Sequence, residues 1–183
     1  MALRRPTSAR IEPQEKAAVI AREAMKTLPH NAVNVRATMA HHPDLSRTFN
    51  GFASAVLNAA ETPRRQRELV ILRMGWNCQA VYEFGQHTMY GLANGVTEGE
   101  VSAVTRPLSE HSWSEQDRAL LQMTDDLYSD DCVSDTTWAE LTDHWSTTEI
   151  MEFLMSALCY RAVSGFLNSC GVELDDGVPG WPA

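Results

Sequence analysis

Between Thr62 and Gly95 two helical segments follow one another with almost nothing between them, TPRRQRELVILRMGW and then CQAVYEFGQHTMYGLANG. In the first, Leu69, Leu72 and Trp76 recur at helical spacing, and Thr62 with Pro63 reads as an N-cap followed by proline at the first helical position. Asn77 reads as the cap of the second segment, and Gly95 as its left-handed stop. No stretch of the chain alternates apolar and polar residues as a half-buried strand does. The expected fold is all-α.

The rest of the sequence agrees. EKAAVIAREAMKTL carries Ala18, Val19, Arg22 and Met25 at helical intervals and closes at Pro29. NAVNVRATMAHH stops before Pro43, and PDLSRTFNGFASAVLNA shows an apolar stripe of Leu45, Phe49, Phe52, Val56 and Leu57. Thr97 with Glu100 and Ser146 with Glu149 form capping boxes, and Ser114 with Asp117 a related start. SDTTWAELTDHW is a short amphipathic segment, and the helix opened by Ser146 runs to Gly171. His41 and His42 precede Pro43, where a cation suits a helix end. Trp76, Trp113 and Trp138 read as structural. At 183 residues, without repeats or an internal linker, the chain fits one domain spanning 1–183, with irregular tails at 1–13 and 172–183.

Charge narrows the partners. With 24 acidic against 15 basic residues the net charge is −9, which argues against nucleic acid and acidic membranes, because phosphate binding needs clustered cations. A small-molecule substrate or protein subunits are expected instead. MALRRPTSARIEPQEK has cations but no apolar run behind them, so neither a secretory signal nor a membrane helix is read there, and the expected location is cytoplasmic. Cys78, Cys132, Cys159 and Cys170 show no CxxC spacing, which suits reduced thiols better than disulfides or structural zinc.

CQAVYEFGQH then poses the chemical question. Glu83 and His87, four apart, share a helix face, whereas Cys78 points elsewhere. A carboxylate one turn from an imidazole holds the ring and raises its pKa, as a proton shuttle requires. The same spacing describes an ion pair on a solvated face, but Val81, Phe84, Met89, Tyr90 and Leu92 around the pair point to partial burial. Glu68, one residue before a nearly continuous apolar run, needs a partner, and Arg64, Arg65 or Arg73 would serve in a structural ion pair. Cys78, if it opens a helix behind Asn77, has a thiol that the helix dipole acidifies; it can equally be a small apolar filler. As metal ligands Glu68, Glu83 and His87 are poorly spaced, since E-x-x-x-H is not the E-x-x-H of bundle di-iron sites. Tyr82 and Tyr160 are candidate pocket residues, with core packing as the alternative.

The run RRQRELVILRMGWNCQAVYEFGQHTMYGLANGVTEGEV resembles the core motif of the carboxymuconolactone decarboxylase and alkylhydroperoxidase D-like (AhpD-like) superfamily, and FLNSCGVEL resembles the closing helix of its single-domain members. The core motif is placed at 62–105. The resemblance implies an AhpD-like orthogonal helical bundle, a homo-oligomer (trimer or hexamer, with a dimer as alternative), and a site where the glutamate helix meets the histidine helix. Glu68 matches the motif glutamate and His87 the motif histidine. The peroxidase branch carries a C-x-x-C pair whose second cysteine lies four residues before that histidine, where this chain has Ala80 and Glu83. Dithiol peroxide chemistry is therefore not expected. The expected activity is cofactor-free and metal-free acid–base chemistry on a small carboxylated or carbonyl compound: His87 moves the proton, Glu83 orients and tunes it, and Glu68 binds or relays through water. Tyr82 or a helix-terminal amide is the expected oxyanion donor. A single-cysteine peroxidase using Cys78, or a non-catalytic oligomeric binding module, are the alternatives.

Overall fold

The computed structural model describes residues 5–23, 33–58 and 61–182, and every regular element among them is helical. In chain order these are α1 (Lys16–Glu23), α2 (Val33–Met39), α3 (Pro43–Leu57), α4 (Arg64–Asn77), α5 (Val81–Ala93), α6 (Glu98–Ala103), α7 (Glu115–Asp130), α8 (Asp135–His144) and α9 (Thr147–Cys170), with a 3-10 turn at Leu108–Glu110. Met25 and Pro29, assigned above to the end of the first helix, lie outside the described residues.

α4 is the axis of the bundle. Each residue from Arg67 to Gly75 is buried, because α5, α7 and α9 pack around it. Val70 and Met74 meet Leu120 and Met123 of α7 and Phe153 of α9, while Leu69 and Leu72 meet Phe84 of α5 and Val101 of α6. Each such side chain removed from water contributes roughly 1.5–3 kcal/mol, so α4 is fixed by packing all round. Any polar group it carries inward is fixed with it.

α9, at 24 residues, has the length and apolar composition of a membrane span. Here it lies along α3, α4, α5 and α7 with Ile150, Phe153, Ala157 and Tyr160 buried. Its capping box at Ser146 and that of α6 at Thr97 form as read from the sequence, and Ser114 caps α7. Gly171 ends α9 at φ +68, and a Cβ there would stand 2.4 Å from the Ser8 carbonyl oxygen. That close approach lets the amino-terminal tail cross the end of α9, where the N–H groups of Arg10 and Ile11 donate to the Cys170 carbonyl.

Four local readings are corrected. Thr62 does not cap α4; its hydroxyl has no hydrogen-bond partner, and its N–H donates to Glu152 of α9 instead. Asn77 does not open α5 but closes α4, with its amide on Asp125, and Cys78 is the C-cap residue of α4. His42 caps the start of α3, its Nδ1 accepting from the Leu45 N–H, so this ring acts as an acceptor rather than a cation; His41 donates through Nε2 to the Glu12 carbonyl. The α3 stripe splits: Val56 is buried and Phe49 and Leu57 half-buried, but Leu45 and Phe52 face outward. Trp138, read as structural, is exposed.

Candidate functional site

The turn between α4 and α5 is three residues long, with Gln79 in the left-handed region at φ 53, and it folds α5 back along α4. That reversal brings Glu68 of α4 to His87 of α5, nineteen residues apart in sequence. The Glu68 Oε2–His87 Nδ1 distance is 2.6 Å, and on the other ring nitrogen Glu83 Oε1 stands 3.0 Å from Nε2. The first contact is an aligned hydrogen bond. The second has ion-pair distance without that alignment, because a side chain one helical turn away approaches the ring obliquely, and Glu83 Oε1 has no hydrogen-bond partner. All three groups are at most 5% exposed.

Burial by itself would lower the His87 pKa. The two carboxylates outweigh it, Glu68 more than Glu83, and the imidazole is pushed up to about 10. The two carboxylates thus favour the charged ring, with a proton on each nitrogen. Two carboxylates and one cation leave the cluster with one negative charge in excess.

His87 and Glu83 line an open cavity of about 150 Å³ whose walls come from four helices. Arg36 comes from α2, Phe49 from α3, Tyr82, Gln86 and Tyr90 from α5, and Tyr160 from α9. Glu68 is not part of the lining, so it grips His87 from behind. Tyr160 meets the imidazole edge-on at 4.6 Å between ring centres, with Tyr90 at 5.4 Å. The enclosure is mainly aromatic and apolar, with its acidic charge on one wall.

The structure thus gathers Glu68, Glu83, His87, Tyr82 and Tyr160 and leaves Cys78 apart. Glu68 pairs with His87 and not with Arg64, Arg65 or Arg73; Arg65 binds Glu100 and Asp117, and Arg73 binds Asp125. Tyr82 has no proton for an oxyanion, since its hydroxyl donates to Asp175 Oδ2 at 2.5 Å. Burial and Asp175 together push this phenol far above the usual range. Cys78 packs against Met74, its Sγ 3.7 Å from the thioether sulfur, at the carboxyl end of α4. Burial pushes its thiol up, and the dipole at that end favours cations, the reverse of the acidified position read from the sequence. Cys159, the buried thiol of α9, is pushed up to about 11 by burial and by Glu83.

Sequence reading missed Gln86, Tyr90, Arg36, Phe49 and Asp175. Tyr90 was within reach, three residues after His87 on the same face, and Gln86 four after Tyr82. Arg36 and Phe49 come from other helices, and Asp175 from an irregular tail, where no periodicity marks a position.

An all-helical bundle with a histidine clamped between two helix-borne glutamates beside an aromatic cavity defines the class of protein. The carboxymuconolactone decarboxylase family model matches residues 43–126, extending on both sides of the motif region 62–105. Over those residues the chain is similar to the carboxymuconolactone decarboxylase family, and its fold is that of AhpD-like proteins. Among solved structures, it is similar to an uncharacterized peroxidase-related protein with an alkylhydroperoxidase AhpD core from Ralstonia eutropha JMP134, at 16% identity and a TM-score of 0.78, covering 93% of this chain and 94% of that one. It is also similar to the debrominase Bmp8, in a cysteine-to-alanine variant holding 2,3,4-tribromopyrrole, at 14% identity and a TM-score of 0.75, covering 93% and 94%. A protein of unknown function from Agrobacterium tumefaciens matches at 16% identity and a TM-score of 0.70, over 75% of this chain and 94% of that one. Identities this low speak for a shared fold. Among curated proteins no sequence match is found.

Proposed function

We propose that this chain is an acid–base enzyme of the decarboxylase-like branch, moving a proton at the carbon next to a carbonyl in a compact, single-ring compound. The observation that carries the reading is the buried His87 ring, gripped by Glu68 from behind and sharing the cavity wall with Glu83. The imidazolium supplies what a developing enolate oxygen needs, a positive hydrogen-bond donor fixed by burial of its ring. Glu83 takes the carbon-bound proton; the electrons of the C–H bond form the new C=C bond, and the carbonyl π pair moves onto oxygen, held by Nε2–H. If the carbon carries a carboxylate instead, that group leaves as carbon dioxide, the C–C bond pair follows the same path onto oxygen, and the His87 imidazolium gives a proton to the carbon and regains one from water. Glu68 keeps the ring oriented and charged. This exchanges the two glutamates relative to the roles inferred from the sequence, with Glu83 at the substrate and Glu68 behind.

Size supports the ring. An apolar cavity of about 150 Å³ holds a molecule the size of benzene, and the Bmp8 structure holds a tribrominated pyrrole in a protein of this fold. A thiol peroxidase role for Cys78 is disfavoured by its raised pKa and its place outside the cavity. Exposed Leu45 and Phe52 on α3, with Met151, Met155 and Leu158 on α9, support a homo-oligomer, trimeric or hexameric before dimeric, which light scattering tests.

The deciding experiment incubates the protein in D₂O with a panel of monocyclic keto acids and unsaturated lactones and follows the carbon next to the carbonyl by NMR. Solvent deuterium should enter, or carbon dioxide leave, with wild type and not with His87→Ala. Equal rates in the two proteins would end the proposal.

A further inference from the structure

The carboxy-terminal segment after α9 forms no helix, yet it reaches the cavity wall. Asp175 accepts three hydrogen bonds: from the Asn34 N–H at the start of α2 (3.0 Å), from the Tyr82 hydroxyl (2.5 Å) and from the Gln86 side-chain amide (3.0 Å). Asn34 reciprocates, its own amide donating to the carbonyls of Glu173 and Leu174. Further along, the segment lies so close to α5 that a Cβ on Gly85 would stand 2.1 Å from the Pro179 carbonyl oxygen, and Trp181 packs its ring at 5.2 Å from Trp76 and 5.0 Å from Phe84. Only glycine at position 85 permits that approach. The tail is thus docked along its course, first through Asp175 and then through Trp181.

We infer that Asp175 is a positioning residue of the site, holding Tyr82 and Gln86 in the cavity wall and tying α2, the helix that contributes Arg36, to α5. Tyr82 and Gln86 both face the cavity, and each uses a proton on Asp175. A hydroxyl has one proton, so Tyr82 presents to the cavity a ring whose oxygen can only accept, as it already does from the Val35 N–H. Tyr82 is thereby removed as a proton donor into the cavity. The inference rests on the reading of this cavity as the reaction site, and its test is independent of turnover.

The four tyrosines of the chain are labelled with ¹³C at Cζ, and Tyr82→Phe identifies the resonance of Tyr82. Asp175→Asn should shift that resonance and make it titrate at lower pH than in wild type, while leaving Tyr128 in place. Phenol, a probe of the size of the cavity, should bind the Asp175→Asn protein more weakly, because the Tyr82 ring and the Gln86 amide of the wall are no longer held. Tyr82→Phe breaks the same bond from the other end without touching the tail, so it should weaken phenol binding to a similar degree even if the Asp175 variant does not fold. An unmoved Tyr82 resonance in folded Asp175→Asn, or wild-type phenol affinity in Tyr82→Phe, overturns the assignment. Loss of phenol binding with His87→Ala still fully active would instead count against the chemistry proposed above and leave Asp175 its role.

Discussion

α4 takes part in two buried ionic clusters, at Glu68 and at Arg73, and they are built on opposite principles. At Arg73 every nitrogen is used: Nε and Nη2 lie 2.7 Å from the two oxygens of Asp125, Nη1 donates to the carbonyls of Val104 and Arg106, and Asn77 donates to the same aspartate. One cation meets one anion. At His87 one cation meets two anions, Glu83 Oε1 lacks a donor, and the cluster borders a cavity. The closed network ties α4 to α7 and to the segment after α6. A network with a spare charge and an unused acceptor costs stability, and such arrangements are found where chemistry is done.

The sharpest way to break the comparison is to remove each cation. Arg73→Met leaves Asp125 without its cation and two carbonyls without their donor, and should cost about 3–5 kcal/mol of stability, seen as a lowered urea midpoint with activity per folded molecule unchanged. His87→Ala should remove about a hundredfold or more of the chemical step, with circular dichroism showing the fold retained. Equal effects of both on turnover would erase the distinction.

A smaller effect separates the two glutamates. Glu68→Gln should drop the His87 pKa further than Glu83→Gln, because Glu68 is the stronger of the two charges acting on the ring; imidazole proton NMR against pH reads both. In each variant the limb of the rate profile set by His87 moves to lower pH, since losing a negative charge lowers the proton affinity of the ring.

The same shift predicts a pH dependence of folding. The His87 pKa is raised from the ordinary 6.5 to about 10, so its contribution is complete below about 6.5 and is lost as pH rises through about 10. Across that window unfolding free energy should fall by up to about 1.4 kcal/mol per pH unit, and the slope should vanish in His87→Gln. A flat wild-type profile would mean that the ring is neutral in the fold. Least of all should change in Cys78→Ser, where turnover should stay within about twofold, as befits a thiol outside the site.

Much of the fold and the heart of the site are legible in the residues alone. Apolar spacing and Ser/Thr–Glu boxes act within one turn of chain, so period and caps mark the helices: the boxes at Thr97 and Ser146 and the stops at Gly95 and Gly171 all form. Glu68 and His87 stand out as motif residues, and Glu83 by its spacing from the ring. What failed were helix boundaries, by up to three residues, and part of the buried face of α3. Placing Cys78 at the start of α5 rather than the end of α4 reversed the sign of the dipole acting on its thiol, because Gln79 takes a left-handed turn that no glycine announces.

By itself, then, the sequence determined a helical chain of acidic balance with a Glu–His pair on one turn of helix, because the helices and the pair depend on neighbours within about four residues. Tertiary structure decided which carboxylate stands behind the ring and which beside the cavity, that Tyr82 gives its proton to Asp175, and that the irregular tail holds residues of the wall. These depend on contacts between residues nineteen to 141 positions apart, and such distances leave no periodic trace in a chain. They are set only when α4 is buried and the helices around it have closed.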